Sequence, residues 1–193
     1  MIETILKNIA YSYYPKGLCS ANDYEEYMQS KEFKSLSRVI DQQLSDINFK
    51  NSRLELLQQF RKHKDLKDIS DVTREPHDRC LTFEIEIVEL NKLIKVCINV
   101  SLLIPYYFIY VLKNDIDIES GCKWLNLPKR DKESEEKYIE LIKLLQYITE
   151  GQMQFNLFPE SLVDVIIPEI NYVDIELGKF TLYNAFFLDY INL

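Results

Sequence analysis

The sequence predicts an α+β fold, with helices packed on one mostly antiparallel sheet, from three observations. Residues 80–113 hold two runs of alternating apolar and polar residues followed by a run that is apolar almost throughout. Residues 1–63 repeat their apolar positions at helical intervals, and so do residues 131–150. The order is therefore helices, strands, a helix, and strands again. That order suits segregated layers better than alternating βαβ units. Without a linker or internal repeat, one domain spanning residues 1–193 is expected.

In residues 2–14, Ile2, Ile5, Leu6 and Ile9 share one helical face, and Pro15 to Gly17 end the element. Asn22 or Asp23 can cap a second helix whose first turn carries Glu25 and Glu26. From residue 31 to about 47, Phe33, Leu36, Val39, Ile40 and Leu44 recur at three- and four-residue intervals. A further helix is predicted from Asn51 and Ser52 through Phe60. Residues 62–79 are the most polar stretch and read as a surface connection.

The sheet follows. Leu81, Phe83, Ile85 and Ile87 alternate with Thr82, Glu84 and Glu86; Ile94, Val96, Ile98 and Val100 alternate with Lys95, Cys97 and Asn99. This is the period-2 pattern of strands with one buried and one solvated face. Asn91 and Lys92 suit a tight reversal between the two runs. Residues 104–112 read as a strand covered on both faces, and residues 114–130 as a loop. Residues 131–150 form the next helix, with Gly151 as its C-terminal cap. A short helical turn follows Phe158 and Pro159, and residues 170–175 and 179–188 read as strands joined near Gly178.

Four glycines lie far apart in the chain, so no GxGxxG or GxxxxGK phosphate loop can be written. The formal net charge of −8 opposes nonspecific binding to nucleic acid and favours a basic protein partner. Cys19, Cys80, Cys97 and Cys122 form no CxxC pair, which points to reduced, mostly buried thiols and no structural zinc. The N-terminus lacks the pattern of a signal peptide, and no apolar run is long enough to span a membrane. A cytoplasmic protein without a membrane partner or a cofactor is the expectation.

Motifs for catalysis are weak. His77, Asp78, Arg79 and Cys80 are adjacent, and neighbouring residues entering a strand point in alternating directions rather than converging. Asp115, Asp117 and Glu119 open like a calcium loop, but Ser120 and Asn126 stand where an EF-hand needs Gly and Glu. No GxSxG elbow is present. The expectation is a protein that is not an enzyme.

Tyrosine is abundant, at 13 of 193 residues, and it is a residue that recognition surfaces favour. Residues 152–193 hold six acidic residues (Glu160, Asp164, Glu169, Asp174, Glu176, Asp189) against the single base Lys179. Carboxylates beside aromatic anchors suit a basic partner. The expected binding residues are Asp115, Asp117, Glu119, Asp174 and Glu176, with Tyr172 and Tyr183 as anchors.

Three segments, SYYPKG after the first helix, HDRC before the first long strand and GKFTLYNAFF near the end, are similar to segments of small bacterial immunity proteins. Those proteins accompany polymorphic or contact-dependent toxins. The resemblance implies a cytoplasmic protein that binds a cognate toxin and occludes its active site, and it carries over no catalytic residue. Two other readings stand beside it. One is a small hydrolase or nucleotide-modifying enzyme using carboxylates and His77. The other is a structural protein that self-associates through its sheet.

Overall fold

The computed structural model describes residues 1–76, 78–117, 123–124, 129–173 and 175–188, with the backbone alone at 116, 117, 123 and 124. Its centre is the three-stranded meander of β2 (Cys80–Glu89), β3 (Lys92–Ser101) and β4 (Tyr106–Asp117), all antiparallel. A two-residue strand β1 (Ser70–Asp71) lies against β2. On the far side, β5 (Lys123–Trp124) and β6 (Lys129–Arg130) pair antiparallel with β4, and β7 (Asn156–Leu157) pairs parallel with it. The α+β class and the mostly antiparallel sheet match the sequence pattern. The predicted loop of residues 114–130 is an extension of β4 at its start and strand β6 at its end.

Helices α1 (Ile2–Tyr11), α2 (Tyr24–Gln29), α3 (Lys31–Ser45) and α4 (Ile47–Arg61) make up the N-terminal third. Ser30 caps α3 by accepting from the Phe33 amide. Helix α4 starts earlier than the Asn51–Ser52 signal suggests, because the Asp46 carboxylate accepts from the amides of Asn48 and Phe49. An acidic cap at that end also complements the helix dipole. The polar stretch of residues 62–79 is more than a surface connection: it buries Leu66 and Ile69 and contributes β1.

The predicted helix over residues 131–150 is two helices, α5 (Lys132–Lys137) and α6 (Ile139–Met153), meeting at Tyr138. Gly151 lies inside α6; the left-handed cap is Gln154, at φ 57°.

Side-chain alternation assigns the two faces of the sheet. On one, Phe83 meets Phe60 of α4 at 5.7 Å, and the Tyr107 hydroxyl donates to Glu150 of α6 at 2.6 Å. On the other, Phe108 meets Tyr183 at 5.5 Å and Phe187 at 6.3 Å. The second face is therefore not the solvated one that alternation implied. Thr82, Cys97 and Asn99 are all buried there under the C-terminal segment. Only its far end, from Glu84 and Lys95 outward, meets solvent.

The expected C-terminal strands are not formed as such. In the first, Tyr172 and Ile175 pair with each other only as an isolated antiparallel bridge, and Asn171 Nδ2 donates to the Ile175 carbonyl at 2.6 Å. Residues 182–186 form a helix, α7 (Leu182–Phe186). Thr181 and Asn184 close a reciprocal capping box at its start. Every residue from 182 to 188 is buried, so the run carries no periodicity to separate strand from helix. Helix α1 packs on α7, and the Tyr14 hydroxyl donates to the Ala185 carbonyl at 2.8 Å.

Candidate functional site

Of the two expected anchors, Tyr183 lies inside the fold and Tyr172 is only partly buried. Tyr183 is 1% exposed, and its hydroxyl accepts from Asn99 Nδ2 at 2.7 Å. It cannot touch a partner, because the expected strand is a buried helix. Burial pushes the phenols of Tyr110 and Tyr183 well above their ordinary range, so both are neutral groups of the core. Tyr172 is half-buried. Its ring stands edge-on to Tyr14 at 5.3 Å, with the guanidinium of the buried Arg79 4.6 Å from its centre.

The two acidic candidates whose side chains are described, Asp115 and Glu176, do not share a patch. Glu176 is exposed near Tyr172 and pairs with Lys179 at 2.7 Å. Asp115 is exposed at the opposite end of the sheet, in register with Lys92 beside the β2–β3 turn. Arg79 precedes the first residue of β2 and Lys92 follows its turn, so about 33 Å of strand separates the two places at ~3.3 Å per residue. Asp115 also lies in a cleft of 750 Å³ lined by Lys92, Lys113, Lys129 and Arg130, where bases outnumber acids. Glu119, Asp174 and His77 fall outside the described residues, as does the side chain of Asp117.

A second groove, of 530 Å³, runs between the α3–α4 junction, the β3–β4 connection and the end of α6. Three of its polar lining residues have structural partners. Asp46 caps α4, the Ser101 hydroxyl accepts from the amides of Leu103 and Ile104, and Gln152 donates to Glu55.

Several large hydrophobic residues are exposed among the described residues, Tyr147, Ile47 and Tyr24 included, and two more stand together at the β2–β3 hairpin. Glu89 and Lys92 pair across a two-residue turn, Leu90 and Asn91, with φ of 45° and 64°. Both residues need the left-handed region that the primed hairpin turns demand. Asparagine accepts it readily; leucine does so at a cost of about 1–2 kcal/mol. Leu90 is nevertheless 97% exposed, and Val88 beside it is 57% exposed.

Carboxylates flank this apolar tip. Glu84 and Glu86 share the one ammonium of Lys95, at 2.9 and 2.7 Å. Those hydrogen bonds hold the Lys95 amine above its usual range against the opposing effect of burial. Glu89 binds Lys137 and the Tyr138 hydroxyl at the α5–α6 junction, Lys137 first among the groups that lower its carboxyl. The base of the tip is thus anchored to the helical layer while its apolar end stands in water. The reversal expected at Asn91 and Lys92 lies one residue earlier: Leu90 and Asn91 form the turn, and Lys92 already opens β3.

Comparison of the chain with protein-family models, with curated proteins and with solved structures finds no match.

Proposed function

We propose that the chain is a protein-binding module, and that it acts as an immunity protein which covers the active site of a cognate toxin. The observation that carries this reading is the hairpin tip, where Val88 and Leu90 present apolar surface beside Glu86 and Glu89. Apolar anchors ringed by charge are the usual composition of a recognition surface, and the net charge of −8 suits a basic partner. The resemblance of SYYPKG, HDRC and GKFTLYNAFF to immunity proteins gives the same reading its specific form.

The test begins with affinity capture from the native organism, using the tagged chain as bait. The affinity of the captured partner is then titrated against the Leu90→Ala variant. Leu90 contributes almost no packing to the fold, so the variant should stay folded and bind at least about tenfold more weakly, as loss of an anchor does. A partner that binds Leu90→Ala as tightly as the parent chain removes the hairpin from the interface. A bait that captures no stoichiometric partner removes the binding-module reading itself.

A further inference from the structure

The outer edge of β2 is only partly occupied. Strand β1 pairs with it at Phe83 and Glu84, and the Val72 amide donates to the Thr82 carbonyl at 2.9 Å. Before Ser70 the chain turns away: Ile69 is buried, and its carbonyl accepts from Arg61 Nε and Nη2 at 3.2 and 3.1 Å. The Ile69 amide closes a turn onto the Leu66 carbonyl, so β1 begins at Ser70 and leaves the rest of β2 unpaired on that side.

In an antiparallel ladder, alternate residues direct their backbone groups to opposite neighbours. Thr82 and Glu84 face β1, so Glu86 and Val88 face the same side, while Ile85, Ile87 and Glu89 bond to β3. No described residue hydrogen-bonds the backbone of Glu86 or Val88 on that side. The side chains of both are on the exposed part of the second face, Glu86 beside Lys95 and Val88 open to water. Charge along this edge is acidic even after pairing. Asp71 and Glu75 share Arg53, Glu84 and Glu86 share Lys95, and Glu89 takes Lys137.

We propose that this edge accepts an extended, lysine- or arginine-bearing segment of a protein partner, added antiparallel beside Glu86 and Val88 as a further strand. The inference deepens the binding-module reading and rests on it. The outward amides and carbonyls of Glu86 and Val88 supply the backbone pairing. A cation opposite Glu86 completes the acid pair that Lys95 serves alone, and an apolar residue opposite Val88 covers it. A second copy of this chain is a poorer occupant. Pairing two such edges about Ile87 sets Glu86 opposite Val88, so neither gains a complementary group, and pairing them about Glu86 sets that carboxylate opposite its own copy, where like charges repel.

The test uses the full ¹⁵N-labelled chain and a capped nine-residue peptide of alternating valine and threonine with lysine at two positions of one face. On titration the amide signals of Glu86 and Val88 should shift and their hydrogen exchange should slow. The same peptide with glutamate for lysine should bind at least about threefold more weakly. Val88→Pro deletes the outward N–H without removing a bond to β3, so it should remain folded and lose the peptide. Should proline disturb the strand, Glu86→Lys keeps every backbone group and should weaken the lysine peptide by at least about threefold.

Unchanged exchange at Glu86 and Val88, or equal binding of the lysine and glutamate peptides, overturns the proposal. So does a dimer in sedimentation of the free chain that Val88→Pro dissolves, since that gives the edge to a second copy. A captured partner that leaves these two amides unprotected defeats the edge proposal and spares the binding-module reading. Peptide binding at the edge with no captured partner has the reverse meaning.

Discussion

Leu90 shows how one residue can work against stability. Its left-handed backbone is uncomfortable for a branched side chain, and its aliphatic group is bare to water. Leu90→Asn should therefore raise stability by about 0.5–1 kcal/mol, read as a higher urea midpoint at unchanged slope. If the hairpin binds a partner, the same variant loses affinity, the trade expected where a strained surface serves recognition. Tyr183 is the opposite case. Its hydroxyl is the near partner of the fully buried Asn99 amide, whose Oδ1 has no hydrogen-bond partner among the described residues. Tyr183→Phe should cost about 1–3 kcal/mol, because Asn99 then buries a further unmet polar group. A loss below ~0.5 kcal/mol in urea unfolding would show that Tyr110, 3.4 Å away, takes over the bond.

At the scale of elements, helix ends decide two outcomes. Gly151 is helical, in the last turn of α6 at negative φ, and a Cβ there would meet nothing within 4 Å. Gly151→Ala should stabilise by about 0.5–1 kcal/mol, visible as a rise in melting temperature. A fall instead would mean that the helix ends where the sequence suggested. Asp131 caps α5. The Ser134 hydroxyl, with the Ser134 amide and the Lys113 ammonium, holds its carboxyl below the usual carboxylate range. A depressed folded-state pKa adds stability above the unfolded value, near 4, and that stability is lost as pH falls through the lower folded value. Asp131→Ala should thus cost about 1 kcal/mol at neutral pH, with the difference from the parent chain shrinking below about pH 4. A difference that does not change with pH would deny the carboxylate its role in the cap.

For the whole molecule, the sheet separates two candidate surfaces by its own length. Glu176 and Tyr172 are at the Arg79 end, and Asp115, Val88 and Leu90 are at the other. Screening in physiological salt extends over about 8 Å, far less than the ~33 Å between them. Glu176→Lys should consequently change the affinity of a hairpin-bound partner by less than about twofold in isothermal titration. A tenfold loss would move the interface to the C-terminal end. No helix of the described residues is long and apolar enough to cross a membrane. Both faces of the sheet are covered near Arg79, by α4 and α6 on one side and by α7 with α1 on the other.

Elements whose apolar residues keep a period are legible from the residues alone. The alternation in β2 and β3, the helical stripe of α3 and the apolar run of β4 each specify a local geometry that burial then rewards. Where every residue is buried, as in residues 182–188, that period vanishes. Only the Thr181–Asn184 capping box and the packing against α1 select a helix there. The tertiary structure alone decided that Thr82, Cys97 and Asn99 lie inside, since their polarity promised a wet face until the C-terminal segment covered it. It alone withdrew Tyr183 from the surface, divided Asp115 from Glu176, and left Glu86 and Val88 on an open edge. Surface sites are juxtapositions of distant residues, and local periodicity carries no information about which distant residues meet.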